Sequence, residues 1–209
     1  MQPNVVLNLY SDVPSMKSHV FRKDLRLSLY VDADFAGCRL TAKSTSGGFL
    51  VLKGPNTFFP LSWVSKRQTS VSRSTTESEV VSLAFSLFGE AIPTLCLWER
   101  LLGKPVLLEC LEDNQATIVI AKAGWSSKLR HVQRTHKVNI ASLAERFKED
   151  TSITLEYVDT SEQAADIFTK ALDPQKWDPA LRMLGVSHPE VSKCAQKLKS
   201  CIRPTEGGA

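Results

Sequence analysis

Four acidic positions, far apart along the chain, carry the side chains whose types could do chemistry together. They are Asp32, Glu77 or Glu79, Asp113 and Asp166. Clustered carboxylates repel one another and hold protons unless cations neutralise them, and hard oxygen ligands of this kind suit Mg²⁺ or Mn²⁺. Two such ions about 4 Å apart can activate a water and stabilise the leaving oxygen of a phosphodiester. If the fold brings these acids together, the sequence predicts a metal-dependent phosphodiester hydrolase.

Each acid, taken singly, also has an ordinary structural explanation. Asp32 and Asp34 could simply begin a surface turn at Ala36-Gly37. An exposed acid on a helix is more often a cap or a solvated charge than a ligand. The choice between the two interpretations depends on the elements that carry the acids.

Two of the acids follow predicted strands. The stretch 25–34, LRLSLYVDAD, alternates apolar and polar residues until Asp32, which is typical of a buried strand. A second apolar strand, 106–111, is followed by Glu112 and Asp113. Because sites in open α/β sheets gather at strand ends of this kind, we expect Asp32 and Asp113 to lie close together.

The remaining pattern predicts an α/β fold with a five-stranded mixed sheet, three antiparallel strands being followed by two parallel additions and flanked by helices. Two capping boxes, Ser74 with Glu77 and Thr160 with Gln163, predict helix starts, and the second helix would contain Asp166. The other expected elements are strands at 49–52, 61–65 and 153–158, a helix that Pro93 kinks and Gly103 ends, and helices at 115–123 and 134–148.

The composition narrows the class of protein. The chain has 209 residues, 43% of them hydrophobic, which is enough to bury the core of one domain. A net charge of +4 is compatible with a polyanionic partner, and five cysteines without a CxxC pair favour a reducing compartment. We expect no secretory leader, since the first twenty residues lack a long apolar core. No uninterrupted apolar run approaches the roughly 20 residues of a membrane span. We therefore expect a soluble intracellular protein with no membrane partner.

The stretch between Asn114 and Ala144 contains no acid but many basic residues. On its own, such a stretch is more often a solvated helix face than a binding site. Beside a nuclease centre, a basic run with an aromatic residue favours binding of a nucleic-acid backbone. The candidate binding residues of this basic segment are Lys122, Trp125, Lys128, Arg130 and Arg134, with Lys137, His131 and His136 nearby.

Six motifs, in this order, resemble the ribonuclease H domain of copia-type retrotransposon polyproteins. The resemblance extends from about 27 to 172 and implies an RNase H fold that cleaves the RNA strand of an RNA–DNA hybrid. It also implies a reverse transcriptase domain in the same polyprotein, and a location in the cytoplasm, inside a virus-like particle, or in the nucleus. The motifs are YVDADFAG, KSTSGGF, LSWVSKRQ, STTESE, EDNQATI and EYVDTSEQAADIFTKAL.

The resemblance assigns a role to each acid. Asp32 would bridge two Mg²⁺ ions, for which Mn²⁺ could substitute. Glu79 and Asp113 would hold the ion nearer the leaving group, and Asp166 would complete the ion that activates water. Glu77 is then left to its capping role.

The resemblance also implies roles beside the metals. Asp34 would support the turn. Asn114 and Gln115 would contact the hybrid. Discrimination of RNA from DNA would use the 2′-hydroxyl, with contacts near Ala33, Ser78 and Asn114.

The chain departs from the family at two points. Many ribonucleases H have a mobile histidine shortly before the last acid, and 158–165 contains none. The usual proline after FTK is replaced by Ala171. An inactive RNase H-like module that binds nucleic acid or supports a polymerase therefore remains an alternative. A transposase-type nuclease is a further one, although those use three acids with Glu as the last.

We expect three regions along the chain. Residues 1–23 would be a leader or the end of an upstream polymerase-linked region, and 24–172 would form the RNase H-like domain. Residues 173–209 would be a C-terminal tail, partly helical near 191–199 or disordered.

Overall fold

The structure is a computed structural model, and it describes residues 6–7, 10–11, 25–55 and 57–187. The strands are β1 (Val6–Leu7), β2 (Tyr10–Ser11), β3 (Arg26–Asp34), β4 (Thr45–Gly54), β5 (Thr57–Arg67), β6 (Leu107–Glu112), β7 (Ile153–Tyr157) and β8 (Val186–Ser187). The helices are α1 (Thr75–Ser86), α2 (Ile92–Leu102), α3 (Gln115–Ala123), α4 (Val132–Thr135), α5 (Ile140–Glu149) and α6 (Pro174–Met183).

The main sheet has the strand order β2-β5-β4-β3-β6-β7. β4 runs antiparallel to β3 and β5, while β6 is parallel to both β3 and β7. The predicted five-stranded mixed sheet is therefore confirmed. The prediction lacked β2, a two-residue edge strand that pairs with β5, and the separate ladder between β1 and β8.

The central strand β3 is covered on both faces, as its near-continuous burial requires. Leu27, Leu29 and Val31 are at most 1% exposed and belong to the larger core, which α1, α3 and α5 complete. On the opposite face Tyr30 packs beside Phe49, in a smaller core. Packing on both faces fixes the position and direction of β3, and therefore the position of Asp32 near its end.

The helix that follows β5 begins as predicted. Ser74 Oγ accepts a hydrogen bond from Glu77 N, and the Glu77 carboxylate accepts one from Arg73 N, so the capping box closes one residue further out than in the usual pattern. Near Pro93 the helix changes to a π-helical turn, 87–91, before α2 continues. Pro93 has no backbone N–H to donate within the helix, and the π-helical turn lets the helix continue past it. Gly103, with φ +66°, ends α2 as predicted.

The helical run Thr75–Leu102 is long and apolar enough to cross a membrane by length and composition, with a mean hydropathy of 1.8. The run contains no long uninterrupted apolar stretch, because polar residues are scattered through it. One such helix is weak support for a membrane span, since the core helix of a soluble protein passes the same test. Here α1 packs against β3 and β4 in the larger core.

The single helix predicted for 134–148 is wrong. The chain forms the short helix α4, then a break, then α5. Lys137 has φ +62°, a left-handed conformation that interrupts a helix. Asn139 then caps α5 by accepting a hydrogen bond from Ala141 N.

The helix predicted to contain Asp166 is also wrong. Two 3₁₀ turns, Thr160–Glu162 and Asp166–Phe168, replace it. Gln163, expected to close a capping box, is buried instead, and its amide donates to Val31 O at 2.9 Å. The Gln163 side chain therefore bonds the central strand β3 and cannot close the capping box predicted at Thr160.

The region beyond 172 contains a helix that the sequence pattern did not reveal, α6, and its Trp177 donates to Leu172 O. Leu184, just after α6, joins Phe49 and Val51 in the smaller core. The short helix expected near 191–199 lies outside the described residues.

Candidate metal centre

Three of the four predicted acids meet at one edge of the sheet. Carboxylate oxygens of Asp32, Glu79 and Asp113 all lie within 4.8 Å of one another. Asp32 is on β3, Glu79 on α1, and Asp113 directly follows β6. Three elements that are distant in sequence therefore place three carboxylates at one point.

The sheet and α1 together position this cluster. Parallel pairing of β3 with β6 sets Tyr30 opposite Leu111, so the two strands end at the same edge. On α1, Ser82 Oγ donates to Asp32 O at 2.7 Å and lies 3.2 Å from Gly47 O. Glu79 lies about one helical turn before Ser82, and this contact therefore holds it above the end of β3.

Two acids of the cluster are buried, and burial governs the protonation of Glu79. Asp32 is 1% exposed and Glu79 6% exposed. Burial raises the pKa of Glu79 far above its ordinary value, and the charges of Glu112, Asp32 and Asp113 raise it further. Without a cation, Glu79 therefore holds a proton at neutral pH.

Glu112 is an acid of this region that the sequence interpretation did not use. It is fully buried; its Oε1 accepts a hydrogen bond from Asn114 N, and its Oε2 has no partner among the described residues. Burial raises the pKa of this carboxyl well above its ordinary value. Its position directly before Asp113 was the only sign of it in the sequence.

Asp166 lies beside Asp32 but outside the cluster of three. Lys170 Nζ lies 2.8 Å from Asp166 Oδ1 and 3.1 Å from Asp32 Oδ1, and so joins the two carboxylates. Thr169 Oγ1 donates to Asp32 Oδ2. Burial lowers the pKa of Lys170, but Asp32 and Asp166 outweigh that effect and raise it above its ordinary value. Sequence interpretation missed both Thr169 and Lys170, although they stand in the FTK motif.

Asp34, expected to support the turn, lies against that turn. A Cβ added at Gly37 would lie 1.7 Å from Asp34 Oδ2, so a larger residue there would have to displace the Asp34 carboxylate. Burial raises the pKa of Asp34. Ala36, with φ 55°, donates its N–H to Ser44 Oγ.

Glu77 is fully buried and contacts two histidines of the basic segment. His131 Nε2 lies 3.1 Å from Glu77 Oε2, and His136 Nε2 lies 3.1 Å from Glu77 Oε1. These contacts join the start of α1, which carries Glu79, to the region around α4. The spacing of the two histidines in the sequence gave no indication of a shared acid partner.

The candidate nucleic-acid-binding residues are mostly on the surface. Trp125 is 67% exposed, and Asn114 caps α3 by accepting a hydrogen bond from Thr117 N. Ser78, expected near the 2′-hydroxyl, is buried and its hydroxyl donates to Thr75 O. Ala33 is 6% exposed. The exposed members of the predicted set are Gln115, Lys122, Lys128, Arg130 and Arg134.

The donor set of the three acids fits a hard divalent cation. Glu79 Oε2 is buried and has no hydrogen-bond partner among the described residues. An unpartnered buried carboxylate oxygen is costly, and cation binding would remove that cost. All the donors are carboxylate oxygens, as Mg²⁺ and Mn²⁺ prefer.

Curated proteins similar to this chain include retrotransposon polyproteins, whereas no family model matches it. It is 28% identical to the retrovirus-related Pol polyprotein from transposon RE1 of Arabidopsis thaliana, over 78% of this chain and 11% of the relative. It is 27% identical to the corresponding polyprotein from transposon TNT 1-94 of Nicotiana tabacum, over 75% of this chain and 11% of the relative. The chain thus spans about a tenth of the length of these relatives.

Solved structures similar to this chain include ribonucleases H. An RNase H1 isolated from compost by a metagenomic approach has a TM-score of 0.48 and 14% identity, covering 69% of this chain and 92% of that chain. The PFV RNase H domain has a TM-score of 0.45 and 13% identity, covering 70% and 93%. The resemblance that the six motifs predicted is confirmed: the chain is similar to Pol polyproteins of retrotransposons, and its fold is RNase H-like.

Proposed function

We propose that this domain is a metal-dependent endoribonuclease that hydrolyses the RNA strand of RNA–DNA hybrids during reverse transcription, with Mg²⁺ as its cation and Mn²⁺ as a substitute. The observation that carries the proposal is the meeting of Asp32, Glu79 and Asp113 within 4.8 Å. Homology to retrotransposon Pol polyproteins supports the substrate, because reverse transcription produces such hybrids.

The residues would divide the chemistry between them. Asp32, Glu79 and Asp113 would hold a divalent cation, which when bound would help to activate a water and stabilise the leaving oxygen of the phosphodiester. Glu79 must lose its proton before it binds a cation, because burial keeps it protonated. Asp166, half-buried beside Asp32, has one oxygen on Lys170 and can orient the attacking water through the other.

The basic segment would bind the hybrid. Its exposed cations lie in a stretch of sequence, 114–144, that contains no acid. Neutralisation of phosphates is the main source of affinity for nucleic acids. Trp125 offers a flat surface for a sugar or base. Asn114 and Gln115 directly follow Asp113 and would contact the strand beside the cation. A reverse transcriptase domain of the same polyprotein would be the partner, and the cytoplasm or the nucleus the location.

Hybrid cleavage by the full chain tests the proposal. Asp32→Asn should reduce Mg²⁺-dependent cleavage of a labelled RNA–DNA hybrid at least about 100-fold, because it removes a charged oxygen at the centre of the site. Asp178→Asn, an exposed change on α6, is the matched control and should cleave normally. Double-stranded DNA and double-stranded RNA should stay intact. Full activity in Asp32→Asn would contradict the assignment.

The second candidate is an inactive module that binds nucleic acid or supports the polymerase. The contacts of Lys170 favour this second candidate, because they occupy oxygens of Asp32 and Asp166 that a two-ion active site would use. The same assay separates the two, since an inactive module binds the hybrid and leaves it uncut.

A further inference from the structure

We propose that the ammonium group of Lys170 serves as the second cation of this site, so that the domain binds one divalent ion where the sequence predicted two. The inference rests on the proposed function. It concerns the Asp32–Asp166 side of the site, which two ions would require to be free. Lys170 would hold these two carboxylates together and leave the Asp32–Glu79–Asp113 side to the metal.

The contacts of Lys170 are those expected of a cation that bridges two acids. Its Nζ lies 3.1 Å from Asp32 Oδ1 and 2.8 Å from Asp166 Oδ1. The other oxygen of Asp32 accepts a hydrogen bond from Thr169. Mg²⁺ needs its oxygens at about 2.0–2.1 Å. An ion shared by Asp32 and Asp166 would therefore have to displace the ammonium group.

The group formed by Asp32, Glu79 and Asp113 has a different character. There Glu79 Oε2 is buried and has no hydrogen-bond partner in the described part of the chain. Carboxylate oxygens of the three acids lie within 4.8 Å of one another. The site thus has one pair of carboxylates that a lysine joins and one group made of carboxylates alone.

Lys170 is held in place by the fold. The 3₁₀ turn before it is fixed to the sheet by Ser65 Oγ, which donates to Phe168 O at 2.6 Å. The Phe168 ring stacks on Phe49 with centroids 6.0 Å apart. Gly47 leaves just enough room for this turn, because a Cβ there would lie 2.4 Å from Thr169 Cγ2. The base of the lysine is therefore positioned by packing, and the side chain is only 37% exposed.

Ion stoichiometry tests the inference on the full chain. Isothermal titration with Mn²⁺ alone should give one bound ion for the wild type and for Lys170→Arg, which keeps the charge. Lys170→Met keeps the length and removes the charge, and should bind two. Lys148→Met, an exposed lysine on α5, is the matched control and should bind one. Circular dichroism and thermal melting check that each variant folds.

Two results would overturn the inference: two ions in the wild type, or one ion in a folded Lys170→Met. If Lys170→Met does not fold, the wild-type stoichiometry alone decides, since two ions overturn the inference and one supports it. Hybrid cleavage measured in parallel keeps the two proposals apart. Cleavage with two ions bound refutes the role of Lys170 and keeps the nuclease, while one ion bound without cleavage refutes the nuclease.

Discussion

Glu112 is a buried acid next to the proposed metal site, and its ionisation is costly when no cation is bound there. Its carboxyl is fully buried beside Glu79, and one of its oxygens has no partner in the described residues. Two buried acids this close cannot both ionise at low cost. A cation at the neighbouring cluster would lower that cost, so metal binding and protonation should be coupled here.

The coupling predicts how stability depends on pH without divalent ions. The pKa of Glu112 is raised well above 4.5 in the folded protein. The folded state therefore keeps a proton that the unfolded state releases, and stability is fully present below about pH 4.5 and falls as pH rises. Glu112→Gln keeps the acceptor for Asn114 N and removes the charge. We expect it to be more stable than the wild type at pH 8 by about 1 kcal/mol or more.

Urea unfolding at several pH values, in EDTA, measures this difference. The advantage of Glu112→Gln should disappear near pH 4, where the wild-type carboxyl is protonated in both states. Glu109→Gln, on the same strand and 31% exposed at its side chain, is the control and should lack this gain at pH 8. An equal response of Glu112→Gln and wild type to pH would refute the buried, protonated carboxyl.

At the scale of elements, Glu77 connects two parts of the molecule that have different tasks. It caps α1, which carries Glu79, and it contacts His131 and His136 on either side of α4. The contacts of Glu77 with the two histidines lie on the inner side of the basic segment, and the exposed side of the segment carries the cations. Glu77 should therefore fix the distance between the acid cluster and the proposed hybrid-binding surface.

Removing this connection should loosen the basic segment. Glu77→Ala leaves His136 buried without its acid partner, and we expect a loss of about 1–3 kcal/mol of unfolding free energy. Amide hydrogen exchange in 127–139 should become faster by more than the global loss explains. Ser74→Ala removes the other half of the same cap, which costs about 1 kcal/mol, and should leave 127–139 protected. The same pattern of exchange in both variants would contradict the connecting role.

The elements also show what the sequence could and could not reveal. The alternation of apolar and polar residues, together with the acids at the strand ends, correctly predicted β3 and β6. Both strands could be predicted because their pattern is local in the sequence. The capping box at Ser74 was correct because its partners, Ser74 and Glu77, are only three residues apart. The box at Thr160 failed because Gln163 instead bonds Val31 O on a strand far away in sequence. Lys170 was missed for the same reason, since its contact with Asp32 exists only after folding.

At the scale of the whole molecule, the sheet separates two cores, and the site depends on both. In the larger core α1, which carries Glu79, packs against β3. The smaller core supports the turn that carries Asp166, through Phe168 on Phe49, and it extends past the expected domain end at 172. Leu184, 8% exposed, packs in this smaller core, and α6 contacts the Asp166–Phe168 turn.

We therefore expect the folded unit to require the chain up to 187. Ending the protein after Leu172 removes α6 and Leu184 and exposes Phe49 and Val51, which are at most 2% exposed in the full chain. Loss of one buried leucine alone costs about 1.5–3 kcal/mol, so the urea midpoint should fall clearly. Ending the protein after Ser187 is the matched control, because it keeps every described contact, and its midpoint should stay that of the full chain. Since the smaller core supports the turn that carries Asp166 and Lys170, the shorter variant should also cleave the RNA–DNA hybrid more slowly than the control. Equal midpoints and equal cleavage rates in the two truncations would show that the fold and its acid site are complete at 172.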